Sequence, residues 1–110
     1  MGIEILVVSS NIALWNYMDE PDFYTYAHIG DIGEFFHSKQ QKIKNKKIKQ
    51  FMYIDIGEIT IFNFKQVLQL DKEIKMLEEE GEFDKGILEL IKKGIKMVLE
   101  NRDLYLKFEY

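Results

Sequence analysis

The 110-residue chain has no cysteine and only one proline. The missing thiols exclude disulfides, thiolate catalysis and every cysteine-containing zinc site, and they fit a reducing compartment. No apolar run approaches the roughly 20 residues that a membrane-spanning helix needs. Met1-Gly2-Ile3-Glu4 lacks the basic start of a secretory signal, so a cytoplasmic location is expected. No Gly/Ser linker, internal repeat or low-complexity tract divides the sequence, so residues 1–110 are expected to form one domain. Lysine and arginine are absent from residues 1–36, which carry six acids.

What is present is a 46% hydrophobic, 31% charged composition, which excludes a disordered or collagen-like chain. Aromatic residues reach 14%, and the net charge of −4 is laid out in blocks. After the acidic first third come Lys39, Lys42, Lys44, Lys46, Lys47 and Lys49 with no acid among them; residues 51–84 are acidic again, and 85–110 mildly basic. Segregated charge shapes surface potential and association rather than fold, and the acidic excess points to a basic partner.

Ile3 to Val8 reads as a strand, Ile12 to Tyr17 as a short helix, and Met18 to Asp22 as an acidic turn around Pro21. Phe23 to His28 looks extended. Asp31 and Glu34 have the spacing of a capping box opening a helix striped by Ile32, Phe35, Phe36 and Ile43. Phe51 to Ile56 and Ile59 to Phe62 are rich in strand formers on either side of Gly57-Glu58. Asn63 and Gln66 form a second capping-box pair, ahead of Val67, Leu70, Ile74 and Leu77 on one helical face. Asp84 can cap the next helix, striped by Ile87, Leu88, Ile91, Ile95, Val98 and Leu99 despite Gly86 and Gly94. Leu104 to Glu109 alternates as a strand, with Leu104, Leu106 and Phe108 on one face. The expected fold is α+β: a small sheet flanked by helices, with a C-terminal helical hairpin followed by a final strand.

Catalytic chemistry is hard to assemble from these residues. His28, Asp31, Glu34 and His37 recur every three residues, but that step rotates side chains around a helix and cannot converge all four on one ion. Ser9, Ser10 and Ser38 lack a nucleophile-elbow context, and Gly30 and Gly33 lack the residues of a phosphate loop. The expectation is a protein without enzymatic activity, metal or cofactor. The Lys39–Lys49 segment offers charge for phosphates but no arginine for bidentate base contacts and no aromatic for stacking. Its simplest reading is a solvated segment anchored by Ile43 and Ile48, and nucleic-acid regulation through it is the alternative function.

Two surfaces combine the right groups for protein binding. Tyr17, Tyr24 and Tyr26 lie among Asp19, Glu20 and Asp22, where aromatic anchors and steering carboxylates meet; Trp15 and Phe23 are expected in the core. The second is Glu78, Glu79, Glu80 and Glu82 in the loop between the last two helices.

The stretch Ile61-Phe62-Asn63-Phe64-Lys65-Gln66-Val67-Leu68-Gln69-Leu70-Asp71-Lys72-Glu73-Ile74, the helix after it and the ending Leu104 to Glu109 resemble small immunity proteins of bacterial polymorphic toxin systems, including contact-dependent growth inhibition. The resemblance covers about the second half of the chain and rests on packing and capping patterns; Tyr110 stands where a Gly often follows the final Phe-Glu. It implies a cytoplasmic, non-enzymatic inhibitor that binds a cognate toxin domain, often a nuclease; the acids beside aromatics lead to the expectation that the binding is one to one. It carries over no site residue, because contact surfaces in such proteins vary with the toxin.

Overall fold

In β1 (Glu4–Ser10), Ile5 and Val7 alternate with residues of opposite facing, and this period of two decides which side of the strand meets the core. β1 pairs antiparallel with β2 (Phe23–Asp31) on one side and β4 (Leu104–Glu109) on the other. β3 (Ile59–Phe62) pairs with β4, giving the sheet order β2-β1-β4-β3. The computed structural model describes residues 2–10, 23–33, 36–54 and 58–110, with the side chains of Ser10, Phe23 and Tyr24 excepted. The expected short helix at 12–17, the Pro21 turn and the core placement of Trp15 fall outside the described residues, and so does the Phe23 side chain.

Among the described residues, three α-helices accompany the sheet: α1 (Phe36–Gln40), α2 (Phe64–Glu80) and α3 (Lys85–Glu100). The fold is therefore α+β, with a helix pair before the final strand, as the apolar spacing requires. The α2 capping box is complete: the Gln66 amide donates to Asn63 Oδ1 and the Asn63 amide to Gln66 Oε1, both at 2.9 Å. Val67, Leu70, Ile74 and Leu77 are all buried. Gly81 ends α2 in the left-handed conformation, φ +68°, which costs glycine no Cβ clash. Asp84 then caps α3, accepting from the Ile87 amide at 3.2 Å. α3 lies over β1, β2 and β4, while α2 covers β3 and β4. Gly94 allows that approach: a Cβ there would stand 2.5 Å from Leu106 Cδ1, inside van der Waals contact. In β4, Leu104, Leu106 and Phe108 face the helices and are buried.

Two expectations are corrected. Asp31 does not cap a helix. It is the last residue of β2, paired with Glu4, and its Oδ1 accepts from the Gly33 amide at 2.6 Å, an Asx-type turn that takes the chain out of the sheet. The helix beyond it spans only Phe36–Gln40; Glu34 and Phe35 lie outside the described residues. Nor does Phe51 begin a strand. Phe51–Tyr53 is a single 3-10 turn, because the amides of Lys49, Gln50 and Phe51 donate to the carboxylate of Glu73 on α2 rather than to a neighbouring strand.

Candidate protein-binding surface

With Ile5 and Val7 turned to the helices, Glu4, Leu6 and Val8 take the opposite, outer face of the sheet. Leu6 and Val8 are buried there too, so that face is open at its Glu4 end. Register places a row of carboxylates across this end. Glu4 is the Cα partner of Asp31 on β2 and of Glu109 on β4, and Glu109 is the partner of Ile59 on β3. Three acids thus stand on three adjacent strands, spanning roughly 10 Å at about 4.8 Å per strand. Like charges directly opposite one another weaken a sheet by about 0.2 to 1 kcal/mol per pair. Two side chains lie against the row: His28 Nε2 is 3.7 Å from Glu4 Oε2, and the Lys107 ammonium is 3.3 Å from Glu109 Oε2 and offsets its charge.

Exposed apolar groups adjoin the acids. Ile59 is 57% exposed at the end of the row, Tyr110 follows Glu109, and Glu58 precedes Ile59. Tyr53, 65% exposed, lies beside β3, its carbonyl accepting from the Thr60 hydroxyl at 3.1 Å. An apolar rim beside steering carboxylates is the combination sought in the sequence, built here from other residues. The register of the sheet, which pairs positions far apart in the chain, is what assembles it.

Of the residues singled out from the sequence, Tyr17, Asp19, Glu20 and Asp22 lie outside the described residues. Tyr24 is in β2, opposite Ser9, and nothing is described of its side chain. Tyr26 is also in β2 and strongly exposed, at a point where the register with β1 shifts. The loop acids stand elsewhere, beyond the helix pair. Glu78 pairs with Lys92 at 3.0 Å, Glu80 accepts from Asn45 at 2.7 Å, and Glu79 and Glu82 are exposed. Asp84 joins Lys39 at 2.9 Å. The hairpin loop and the lysine segment, separate in sequence, therefore flank one groove of about 890 Å³ floored by Ile43, Leu77 and Phe83. The acids there are partly neutralised by the lysines across the groove.

The lysine segment is ordered by polar groups that the sequence reading did not single out. Glu73 is fully buried and accepts four hydrogen bonds of 2.9–3.1 Å: three from the successive amides and one from Gln69 Nε2. Gln40, 1% exposed, donates to the carbonyls of Phe51 and Ile54 at 2.7 and 2.9 Å, and its Oε1 lies 3.2 Å from His37 Nδ1. Phe36, Phe51 and Phe83 meet edge to face at centroid distances of 5.2–6.2 Å, tying α1, the 3-10 turn and the hairpin loop together. Ile48 is buried while all six lysines remain exposed, as a solvated segment requires. A signal for Glu73 exists in the sequence, since it stands three residues after Leu70 and four before Leu77, on the buried stripe.

The Lys39 ammonium and the Ile87 amide hold the Asp84 carboxyl below its ordinary value, and the Glu78 carboxylate holds the Lys92 ammonium above its own. Among the described residues no three His, Asp or Glu side chains are grouped to hold a metal; His28 and His37 sit on separate elements, and Asp31 is committed to its turn. No described helix is long and apolar enough to cross a membrane. The chain matches no known family description, no curated protein and no solved structure.

Proposed function

We propose that this protein is an immunity protein: a non-enzymatic inhibitor that binds a basic toxin domain, a nuclease by preference, one to one. The observation that carries the reading is the carboxylate row Asp31–Glu4–Glu109 across the open end of the sheet. Asp31 serves its turn and Lys107 offsets Glu109, but acids placed directly opposite Glu4 on both sides still repel, and capture of a cationic partner favours them. A nuclease must be basic to hold a phosphate backbone, so such a row can cover its substrate site and speed encounter. Ile59, Tyr53 and Tyr110 add the apolar contact that slows release.

The test is copurification with the product of the reading frame upstream of its gene. The expected outcome is a one-to-one complex that abolishes the toxin's activity, with an interface near the standard 1,200 to 2,000 Å². Salt-sensitive, sequence-selective retention of the free protein on DNA or RNA, lost when Lys42, Lys44, Lys46 and Lys47 become Gln, would contradict this reading and favour the regulator.

A further inference from the structure

The groove between the lysine segment and the hairpin loop is bridged at two places and open between them. Its walls run in opposite chain directions, with Asn45, Lys42 and Lys39 along one and Glu80, Glu82 and Asp84 along the other. Asn45 donates to Glu80 at 2.7 Å and Lys39 to Asp84 at 2.9 Å. Lys42 and Glu82 fall between those contacts, each exposed and without a partner among the described residues. The middle rung is unmade. Lys42, Glu82 and Phe83 instead line a recess of about 350 Å³, and all three also line the larger groove. The frame around it is already set: the Lys42 and Ile43 amides donate to the Lys39 and Gln40 carbonyls at 3.2 and 3.1 Å, and Phe83 is wedged against Phe36 and Phe51. Walls fixed in advance lower the ordering cost of binding.

We propose that this groove binds an extended peptide segment that carries an acidic and a basic side chain on either side of apolar ones. The apolar side chains lie on the floor of Ile43, Leu77 and Phe83, the acid meets Lys42 and Lys44, and the base meets Glu82. Charge selects this occupant. A phosphate backbone or a wholly acidic segment would face Glu80 and Glu82, and a wholly basic one would face Lys39, Lys42 and Lys44, whereas a segment of both signs completes the open rung. At about 890 Å³ the groove stands at the upper end of the roughly 300 to 1,000 Å³ of ligand sites, so a chain segment fills it better than a single amino acid. This site shares no residue with the carboxylate row of Asp31, Glu4 and Glu109. Peptide binding here therefore stands or falls separately from toxin capture.

Amide-resolved NMR titration of the whole protein with end-blocked tetrapeptides tests this. The probes are the mixed peptides Glu-Leu-Phe-Lys and Lys-Leu-Phe-Glu, the doubly acidic Glu-Leu-Phe-Glu and the doubly basic Lys-Leu-Phe-Lys. The better of the two mixed peptides is expected to bind with a dissociation constant of about 1 mM or below, shifting the amides of Lys42, Ile43, Glu82 and Phe83, and about fivefold more tightly than either single-sign peptide. Lys42→Gln should remove its advantage over the doubly basic peptide, and Glu82→Gln its advantage over the doubly acidic one. Both side chains are exposed, so the amide spectrum away from the groove should stay as in the wild type. No shift at these four amides with any probe, equal affinity for all four peptides, or a preference that survives both substitutions would overturn the proposal.

Discussion

The helical hairpin and the lysine-rich segment are both fastened to α2, but by opposite chemistry. The hairpin is held by a stripe of apolar residues at helical spacing, each replaceable by something of like volume. The segment from α1 to the 3-10 turn is held by two buried polar side chains, Glu73 and Gln40, which satisfy particular amides and carbonyls. Apolar packing tolerates approximation, whereas a buried carboxylate bonded to three successive amides fixes one backbone geometry.

Removing the carboxylate is the harshest way to break that comparison. Glu73→Ala leaves three amides to find new partners, each costing on the order of 1–3 kcal/mol, so a loss of about 3 to 9 kcal/mol in denaturant stability is expected. Amide exchange should accelerate first at Lys49, Gln50 and Phe51. Uniform acceleration across the chain would mean that Glu73 supports the whole core rather than this segment. Leu70→Ala is the apolar counterpart: its side chain is fully buried, and lost transfer energy plus a cavity should cost about 2 to 5 kcal/mol, with exchange rising throughout.

A smaller effect is expected where the segment and the hairpin meet. Asp84→Ala removes the α3 cap and the Lys39 contact, for about 1 kcal/mol by urea titration. Because the folded pKa of Asp84 lies below its ordinary 3.8, the stabilisation is complete above that value and is lost as pH falls through the lower folded one. Acid titration of wild type and Asp84→Ala should therefore converge at low pH. Smallest of all, replacing Lys42, Lys44, Lys46 and Lys47 by Gln should change stability by less than about 0.5 kcal/mol and leave toxin protection intact, since these side chains are in solvent.

The same contrast explains what could be read in advance. α2, α3 and β4 announce themselves because spacing, caps and alternation agree: Asn63 with Gln66, Asp84 before Ile87, and Leu104, Leu106 and Phe108 in step. Phe51 misleads because its strand propensity is genuine and local, while Glu73 acts from 22 residues away. Asp31 misleads because the same side chain serves a helix start or a turn, and the choice lies in its pairing with Glu4. The acidic row was illegible for a related reason. Glu4, Asp31 and Glu109 are scattered along the chain, and only the order of strands brings them abreast.

That row also separates stability from function. With Glu4→Gln, Asp31→Asn and Glu109→Gln combined, the sheet loses its like-charge contacts together with the Lys107–Glu109 ion pair, so stability should change by less than about 1 kcal/mol in either direction. Association with a toxin domain that the proposed function requires, followed by stopped flow at low and physiological salt, is the most direct measurement. The account predicts that the neutralised protein associates about tenfold more slowly at low salt and that its rate loses most of its ionic-strength dependence. Association as fast and as salt-dependent as that of the wild type would contradict the assignment of this surface.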